Sequence, residues 1–336
     1  MPEIRQNIAT REWVIIATER AKRPEDFKPA SSQSHTPLPP YVAKCPFCPG
    51  NEDQTPPELF SIKTQEGKWQ VRVVPNKFAA LSSEGEPIYQ QRGSSGVISG
   101  VGSHEVIIES PLHNITTALL SYSDIEKILT AYKVRYQALE EDPRIAHIII
   151  FKNHGASAGT SLEHPHSQIV GTPIVPVQVR HRMEDAMTYH DNTGRCVYCK
   201  MIEEEIAEKS RIIKESKHFV TFIPFAACSP FHTWLLPKRH MASFSAITEE
   251  ELKDLAVILK SLLAKVYIGL NNPDYNYVIR SANKEMGHVK YFHWYISLIP
   301  IVTKMAGFEL GTGMFINVAL PEKSAEFLRN INEEEI

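Results

Sequence analysis

The order of a few features is repeated in the two halves of this 336-residue chain, and this repeat limits the fold more than any other feature. Each half begins with a Cys-x-x-Cys motif, continues with an apolar strand and a histidine, and then has a helical segment and a second histidine. Residues 73–80 of the first half correspond in this order to residues 222–227 of the second. A chain of this length is also expected to form two domains of roughly 100–200 residues each. We therefore predict a tandem duplication.

The hydrophobic pattern predicts the same α+β unit twice. Short apolar runs indicate strands, whereas apolar residues three or four positions apart indicate helices. The predicted strands are 13–16, 69–74, 104–109 and 146–153, with further strands opening near His164 and His293. The predicted helices are 123–140, with Ser123 and Glu126 as a capping box, and 248–267, with Thr248 as the cap. We expect mostly antiparallel sheets with covering helices, in domains at 1–178 and 190–336.

Each half also supplies two cysteines and two histidines at corresponding positions. Thiolate and imidazole groups suit tetrahedral zinc, and four protein ligands close the coordination sphere of a structural site. We predict two zinc ions, with iron as the alternative at one site. Because His104 and His232 also lie near strand ends, they remain alternatives to His113 and His240. The predicted ligands are Cys45, Cys48, His113 and His164 in the first half, and Cys196, Cys199, His240 and His293 in the second.

A His-Pro-His-Ser-Gln segment distinguishes the first half from the second. Residues i and i+2 of a strand face the same side, so His166 is expected beside the metal-bound His164, with Gln168 on the same face. The corresponding position in the second half is Tyr295, so only the first half can supply this second imidazole. Just before it, residues 153–161 form a loop of small residues, whose amides and hydroxyls can approach phosphate oxygens. We interpret this arrangement as a phosphoryl-transfer pocket.

Charge and composition exclude several other classes of protein. The net charge is −3 with both signs interspersed, so we expect no nucleic-acid partner. The longest apolar runs have only the length of strands, and the amino terminus lacks the apolar segment of a secretory signal. We therefore expect no membrane association and a cytoplasmic location. Two alternatives remain open from the residues, namely a hydrolase that uses water as the acceptor and a zinc-stabilised binding module without catalysis.

Taken together, these motifs resemble the galactose-1-phosphate uridylyltransferase family of the histidine-triad superfamily. The resemblance implies a ping-pong transfer in which His166 attacks the α-phosphorus of a nucleotide sugar and becomes a covalent nucleotidyl-histidine. It implies UDP-glucose and galactose 1-phosphate as the substrates. ADP-glucose is the alternative donor, because a sister branch that resembles plant ADP-glucose phosphorylase has a similar small-residue loop. The resemblance is carried by residues 20–24, 45–48, 75–78, 109–113, 153–168 and 307–309.

The resemblance also implies a role for each matching residue. Gln168 would donate to the phosphoryl oxygens, and Ser161, with Asn153 and Gly159 nearby, would hold the phosphate on the sugar side. The main-chain carbonyl of His164 would accept a hydrogen bond from His166, so the catalytic group is His166, Gln168, Ser161 and His164. The other implied contacts are Asn76 and Phe78 at ribose and base, Arg20 and Arg23 at the nucleotide across a homodimer interface, and Phe308 and Glu309 at the hexose.

Overall fold

The computed structural model describes residues 1–17, 27 and 38–336. Arg20 and Arg23 therefore lie outside the described residues. The strands are β1 Glu3–Gln6, β2 Trp13–Ile16, β3 Phe60–Lys63, β4 Trp69–Pro75, β5 Tyr89–Arg92, β6 Ser95–Ile98, β7 Ser103–Ile108, β8 His147–His154, β9 His166–Thr172, β10 Ile212–Glu215, β11 Phe219–Phe222, β12 Thr233–Pro237, β13 Tyr275–Arg280, β14 Tyr295–Pro300 and β15 Phe315–Asn317. The helices are α1 Tyr122–Glu140, α2 Val177–Thr193, α3 Val197–Glu208, α4 Glu249–Gly269, α5 Gly307–Thr312 and α6 Pro321–Asn330.

The two halves share one antiparallel sheet of ten strands, in the order β10-β11-β12-β14-β13-β8-β9-β7-β4-β3. They meet where β8 pairs with β13, which places Asn153 opposite Asn276. This arrangement confirms the predicted α+β class, although the two units join their strands instead of carrying separate sheets. The predicted division between 178 and 190 falls within α2.

Helices α1 and α4 cover one face of the sheet and form the largest part of the core. Because side chains alternate along a strand, Ile150 and Ile169 point towards these helices, where they pack in one cluster with Leu129 and Leu255. The opposite face carries His166 and Gln168. No helix among the described residues combines the length and the apolar character needed to span a bilayer.

The start of α1 differs from the prediction, whereas that of α4 agrees with it. Ser121 caps α1 and its Oγ accepts a hydrogen bond from the backbone N–H of Asp124, so the predicted box with Ser123 and Glu126 is wrong. Ser121 has the extended backbone of a cap residue, which places Ser123 inside the first turn. At α4, the predicted Thr248 forms a complete capping box with Glu251.

Strands β9 and β14 begin two residues later than predicted, at His166 and Tyr295. Pro165 has no N–H to donate to the sheet, and the N–H of Trp294 donates to the main chain of a connecting segment instead. In each half, the predicted metal-ligating histidine therefore lies just outside the strand, and the residue two positions later opens it.

Candidate active site and metal centres

The first four predicted metal ligands lie together and are buried. The ligand atoms of Cys45, Cys48, His113 and His164 lie within 4.8 Å of one another. The Sγ of Cys48 is 3.6 Å from Nδ1 of His113 and 3.7 Å from Nδ1 of His164. On its other side, Nε2–H of His164 donates to a main-chain carbonyl at 2.8 Å, which leaves Nδ1 free for an ion. Such a carbonyl is a usual support for a metal-ligating histidine.

In the second half, the structure brings three of the four predicted ligands together. The ligand atoms of Cys196, Cys199 and His240 lie within 4.8 Å of one another. Nδ1 of His240 faces Cys199 Sγ at 3.4 Å, and its Nε2–H donates to a main-chain carbonyl at 3.1 Å. His293 is not in this group, because its Nδ1–H donates to the carbonyl of the next residue at 3.0 Å. Its Nε2 is buried and has no hydrogen-bond partner among the described residues.

Both sets of side chains fit a zinc ion. Thiolates and neutral imidazoles are its preferred ligands, and the carbonyls behind Nε2–H of His164 and His240 direct their other ring nitrogens towards the thiols. The His293 ring, whose Nε2 lacks a hydrogen-bond partner among the described residues, lies close to the second set, with its centroid 5.5 Å from that of His240. A bound ion would supply structural anchoring, and in the first half it would fix His164, two residues before β9.

His166 opens β9, and its imidazole has a defined orientation. Its Nδ1–H donates to the carbonyl of His164 at 2.8 Å, which leaves the lone pair on Nε2. The ring of Phe47, from the first Cys-x-x-Cys loop, lies edge-on at 5.5 Å and covers one side. Burial lowers the pKa of His166, the hydrogen bond to His164 opposes this, and the charge of Lys152 lowers the pKa further. A neutral imidazole, which is the nucleophilic form, is therefore favoured.

A buried ion pair supports the start of β9 from the opposite face of the sheet. The Nζ of Lys152 lies 2.6 Å from Oε2 of Glu109, and both residues are only 1% exposed. The same amine donates to the carbonyl of His166 at 3.3 Å. Burial raises the pKa of Glu109, but the charge and hydrogen bond of Lys152 outweigh it and hold that pKa below its usual value. This pair could not be predicted from the sequence, because a single lysine in an apolar strand carries no signal of its partner.

The small-residue loop is held by the second half of the chain. Gly155 has φ +83°, and a Cβ there would lie 1.7 Å from Oδ1 of Asp274, so no larger residue fits. The other carboxylate oxygen of Asp274 accepts a hydrogen bond from the N–H of Ser157 at 2.6 Å. Asp274, which immediately precedes β13, thus determines the course of the loop beside His166.

Asn153, near the end of β8, lies beside Gly159 of this loop. Oδ1 of Asn153 accepts from Nδ2 of Asn276 at 2.8 Å, so the amino group of Asn153 remains available to a ligand. A Cβ on Gly159 would lie 3.8 Å from that amino group. Nδ2 of Asn276 also donates to a loop carbonyl at 2.9 Å. Ser161 is exposed at the end of the loop.

His104, which the sequence analysis considered only as an alternative metal ligand, orients two predicted substrate contacts. The N–H of Ala80 donates to its Nδ1 at 3.1 Å, so the ring hydrogen sits on Nε2. That hydrogen is donated to Oε1 of Gln168 at 2.7 Å. The amino group of Asn76 lies 3.0 Å from the same Nε2, and Oδ1 of Asn76 accepts from the N–H of Phe78. Because the protonated Nε2 cannot accept a hydrogen bond, it does not occupy the amide N–H groups of Gln168 and Asn76. These N–H donors remain free.

The remaining predicted contacts lie on the surface. Phe78 is 85% exposed, next to Asn76. Phe308 and Glu309 lie in α5, where the carboxylate of Glu309 accepts from the N–H of Ala306 at 3.0 Å. Among the described residues, no hydrogen bond or ring contact joins Phe308 or Glu309 to His166.

Comparison with family models identifies the class of protein. The galactose-1-phosphate uridyl transferase N-terminal domain matches residues 1–176, and the C-terminal domain of the same family matches residues 182–335. The chain is therefore a nucleotidyltransferase. It belongs to the galactose-1-phosphate uridyl transferase family.

Individual relatives match along nearly the whole chain. The chain is 39% identical to an ADP-glucose phosphorylase of Arabidopsis thaliana, over 98% of this chain and 93% of that protein. It is 28% identical to a galactose-1-phosphate uridylyltransferase of Thermotoga maritima, over 99% of this chain and 100% of that protein. The crystal structure of an ADP-glucose phosphorylase from Arabidopsis thaliana with bound ADP-glucose superposes with a TM-score of 0.83, at 34% identity and 99% coverage of both chains. A uridylyltransferase structure gives 0.74, at 26% identity and coverages of 98% and 97%.

Proposed function

We propose that this chain transfers a nucleotidyl group from a nucleotide sugar to a phosphate-bearing acceptor, through a covalent intermediate on His166. The observation that carries this proposal is the hydrogen bond from Nδ1–H of His166 to the carbonyl of His164. It presents a neutral, oriented Nε2 beside the small-residue loop, and membership of a nucleotidyltransferase family supports the same reaction.

In the first half-reaction, the lone pair of His166 Nε2 attacks the α-phosphorus of the donor. A P–N bond forms as the P–O bond to the sugar phosphate breaks, and the electron pair of that bond leaves with the sugar 1-phosphate. The free amino groups of Gln168 and Asn153 donate to the phosphoryl oxygens, and Ser161 holds the departing phosphate. Loss of one such donor typically costs about 10²–10³ in rate.

In the second half-reaction, an oxygen of the acceptor phosphate attacks the same phosphorus. The P–N bond breaks, and its electron pair returns to Nε2 of His166. Departing and attacking phosphates use the loop at 153–161 in turn, which requires the intermediate to hold the nucleotide in the meantime. The 8% exposure of His166 limits access of water to the intermediate.

For the substrates, we propose ADP-glucose as the donor and inorganic phosphate as the acceptor. The family resemblance implies UDP-glucose and galactose 1-phosphate instead. The greater similarity to an ADP-glucose phosphorylase, 39% against 28% identity, supports the first of these pairs. Uridylyl transfer remains the second candidate, supported by the family to which the two halves belong.

Initial-rate kinetics with both donors, ADP-glucose and UDP-glucose, and both acceptors, inorganic phosphate and galactose 1-phosphate, test the proposed mechanism and the proposed substrates. We expect parallel lines when the acceptor is varied at several donor concentrations, because one substrate leaves before the next binds. We also expect kcat/KM to be higher for ADP-glucose than for UDP-glucose. A preference for UDP-glucose would support the second candidate, whereas no transfer from either donor would contradict the proposed reaction.

A further inference from the structure

The second half of the sheet has a counterpart for each main residue of the candidate active site. The aligned motifs place Tyr295 at the position of His166 and Ser297 at that of Gln168. Strand pairing extends the comparison, because Phe151 lies opposite Gln168 in the same way that Val278 lies opposite Ser297. Counting along the paired strands gives the corresponding residues: His166 and Tyr295, Gln168 and Ser297, Asn153 and Arg280, and His104 and His232.

Two arginines flank Tyr295 in this second position. Arg182, from α2, donates to the hydroxyl of Tyr295 at 2.7 Å. Arg280 lies directly opposite Tyr295 where β13 pairs with β14, at the position that Asn153 occupies in the first half. Glu12 contacts Arg182 at 3.4 Å and already accepts a hydrogen bond from a threonine. Among the described residues, neither a hydrogen bond nor an ion pair gives Arg280 a carboxylate of its own.

Buried polar atoms in the same cluster lack partners. The hydroxyl of Tyr198, which is fully buried, and Nε of Arg280 have no hydrogen-bond partner among the described residues. The ring of Tyr198 lies 5.6 Å from that of Tyr295. Arg182 contacts Tyr295 and Arg280 lies opposite it, so Tyr198 and both arginines surround the same tyrosine. Buried donors are rarely left unpaired in proteins, and these two donors come from two elements, α3 and β13, beside Arg182 of α2.

We propose that Arg182, Arg280 and Tyr198 bind a tetrahedral oxyanion of the phosphate class beside Tyr295. Guanidinium groups bind phosphate oxygens in pairs, and a tetrahedral anion can accept from donors that approach from several directions. The anion would accept hydrogen bonds from the unpaired Nε of Arg280 and from the hydroxyl of Tyr198. Its charge would also balance that of Arg280, which has no carboxylate partner of its own. The second half of the sheet then retains oxyanion recognition without the nucleophilic histidine. Free inorganic phosphate and the phosphate group of a small ester share this chemistry.

Titration calorimetry of the zinc-loaded chain with inorganic phosphate tests the site, with AMP and glucose 1-phosphate as separate arms. Arg280→Gln should weaken phosphate binding at least about tenfold, because a hydrogen-bonded charge is removed. Tyr198→Phe removes one hydroxyl and should weaken phosphate binding a few-fold. If Arg280→Gln does not fold, the Tyr198→Phe variant tests the site in its place. Arg195→Gln, on an exposed arginine paired with Glu203, is the matched control and should bind phosphate as the wild type does.

The variant Asn153→Ala distinguishes phosphate binding in the catalytic pocket from binding at the proposed site, because Asn153 belongs only to the catalytic pocket. Phosphate binding that is weakened by Asn153→Ala but not by Arg280→Gln or Tyr198→Phe would contradict the proposal, because the anion would then occupy only the catalytic pocket. Binding unchanged in all variants would indicate an adventitious ion only. A crystal soaked in tungstate should show anomalous density between Arg280 and Tyr198, and no density there would also overturn the proposal. Weakening of the AMP and glucose 1-phosphate arms by Arg280→Gln would identify an ester phosphate as the ligand, and weakening of the phosphate arm alone would identify the free ion.

Discussion

The Nε2–H of His104 donates to Oε1 of Gln168 at 2.7 Å, and this bond fixes the amide oxygen and leaves the amino group free for the proposed phosphoryl contact. His104→Phe removes the bond, so the amide can rotate and present its oxygen to the phosphoryl group. We expect kcat to fall about tenfold, the effect of losing one positioned hydrogen bond. Steady-state kinetics, with zinc content as a check on folding, measure this.

A double-mutant cycle of His104 and Gln168 tests whether His104 acts through Gln168. In a Gln168→Ala background the amide is absent, so His104→Phe should lower kcat little further, and the two effects should not add. Fully additive losses would contradict a positioning role for His104.

Metal analysis should find about two ions per chain, one for each Cys-His set. Cys45→Ser and Cys196→Ser should each lose one ion. Cys45→Ser should lower activity more, because the first set holds His164, whose carbonyl orients His166. A greater activity loss in Cys196→Ser, or fewer than one ion in the wild type, would contradict the assignment.

Replacing only one partner of the buried ion pair between Lys152 and Glu109 should destabilise the protein. Lys152→Met leaves the Glu109 carboxylate buried without its partner, and we expect the free energy of unfolding to fall by about 3–5 kcal/mol. The double variant Lys152→Met/Glu109→Gln should recover part of that loss. Urea unfolding of the zinc-loaded proteins measures both, and equal stabilities of the single and double variants would argue against the ion pair.

His147 should make the stability of the protein depend on pH. Burial, aided by the charge of Arg280, lowers the pKa of His147 to about 4, against about 6.5 in an unfolded chain. Between these values the unfolded state binds more protons, so the free energy of unfolding falls as the pH is lowered. From pH 6.5 to 5.5 the expected loss is about 1 kcal/mol. His147→Leu should reduce the loss between pH 6.5 and 5.5 by about that amount, whereas His288→Leu, at an exposed position, should leave it unchanged.

Local sequence patterns predicted those parts of the structure that depend on neighbouring residues. The capping box of Thr248 and Glu251 spans four residues, and Cys-x-x-Cys brings two thiols together in a single turn. The four residues of the first metal set were identified because their chemistry restricts the choice. His293, which the repeat assigned to the second set, shows that a corresponding position does not ensure a corresponding side-chain orientation.

Contacts between distant parts of the chain could not be predicted in this way. Lys152 and Glu109 are separated by 43 positions, and the hydrogen bond between Asp274 and the loop at Ser157 spans 117. Nothing local in either segment specifies its partner. The pairing of β8 with β13 likewise required the three-dimensional structure. The homodimer, with Arg20 and Arg23 outside the described residues, remains a prediction.

The most direct test of the account is to isolate the covalent intermediate. The zinc-loaded chain is incubated with ADP-glucose or UDP-glucose labelled at the α-phosphorus, without an acceptor, and is then separated by gel filtration. We expect label on the protein, released by phosphate or galactose 1-phosphate and located on His166, and no label on a His166→Gly variant that retains its fold and metal. Absence of protein-bound label from both donors, or equal labelling of the His166→Gly variant, would contradict a nucleotidyl intermediate on His166.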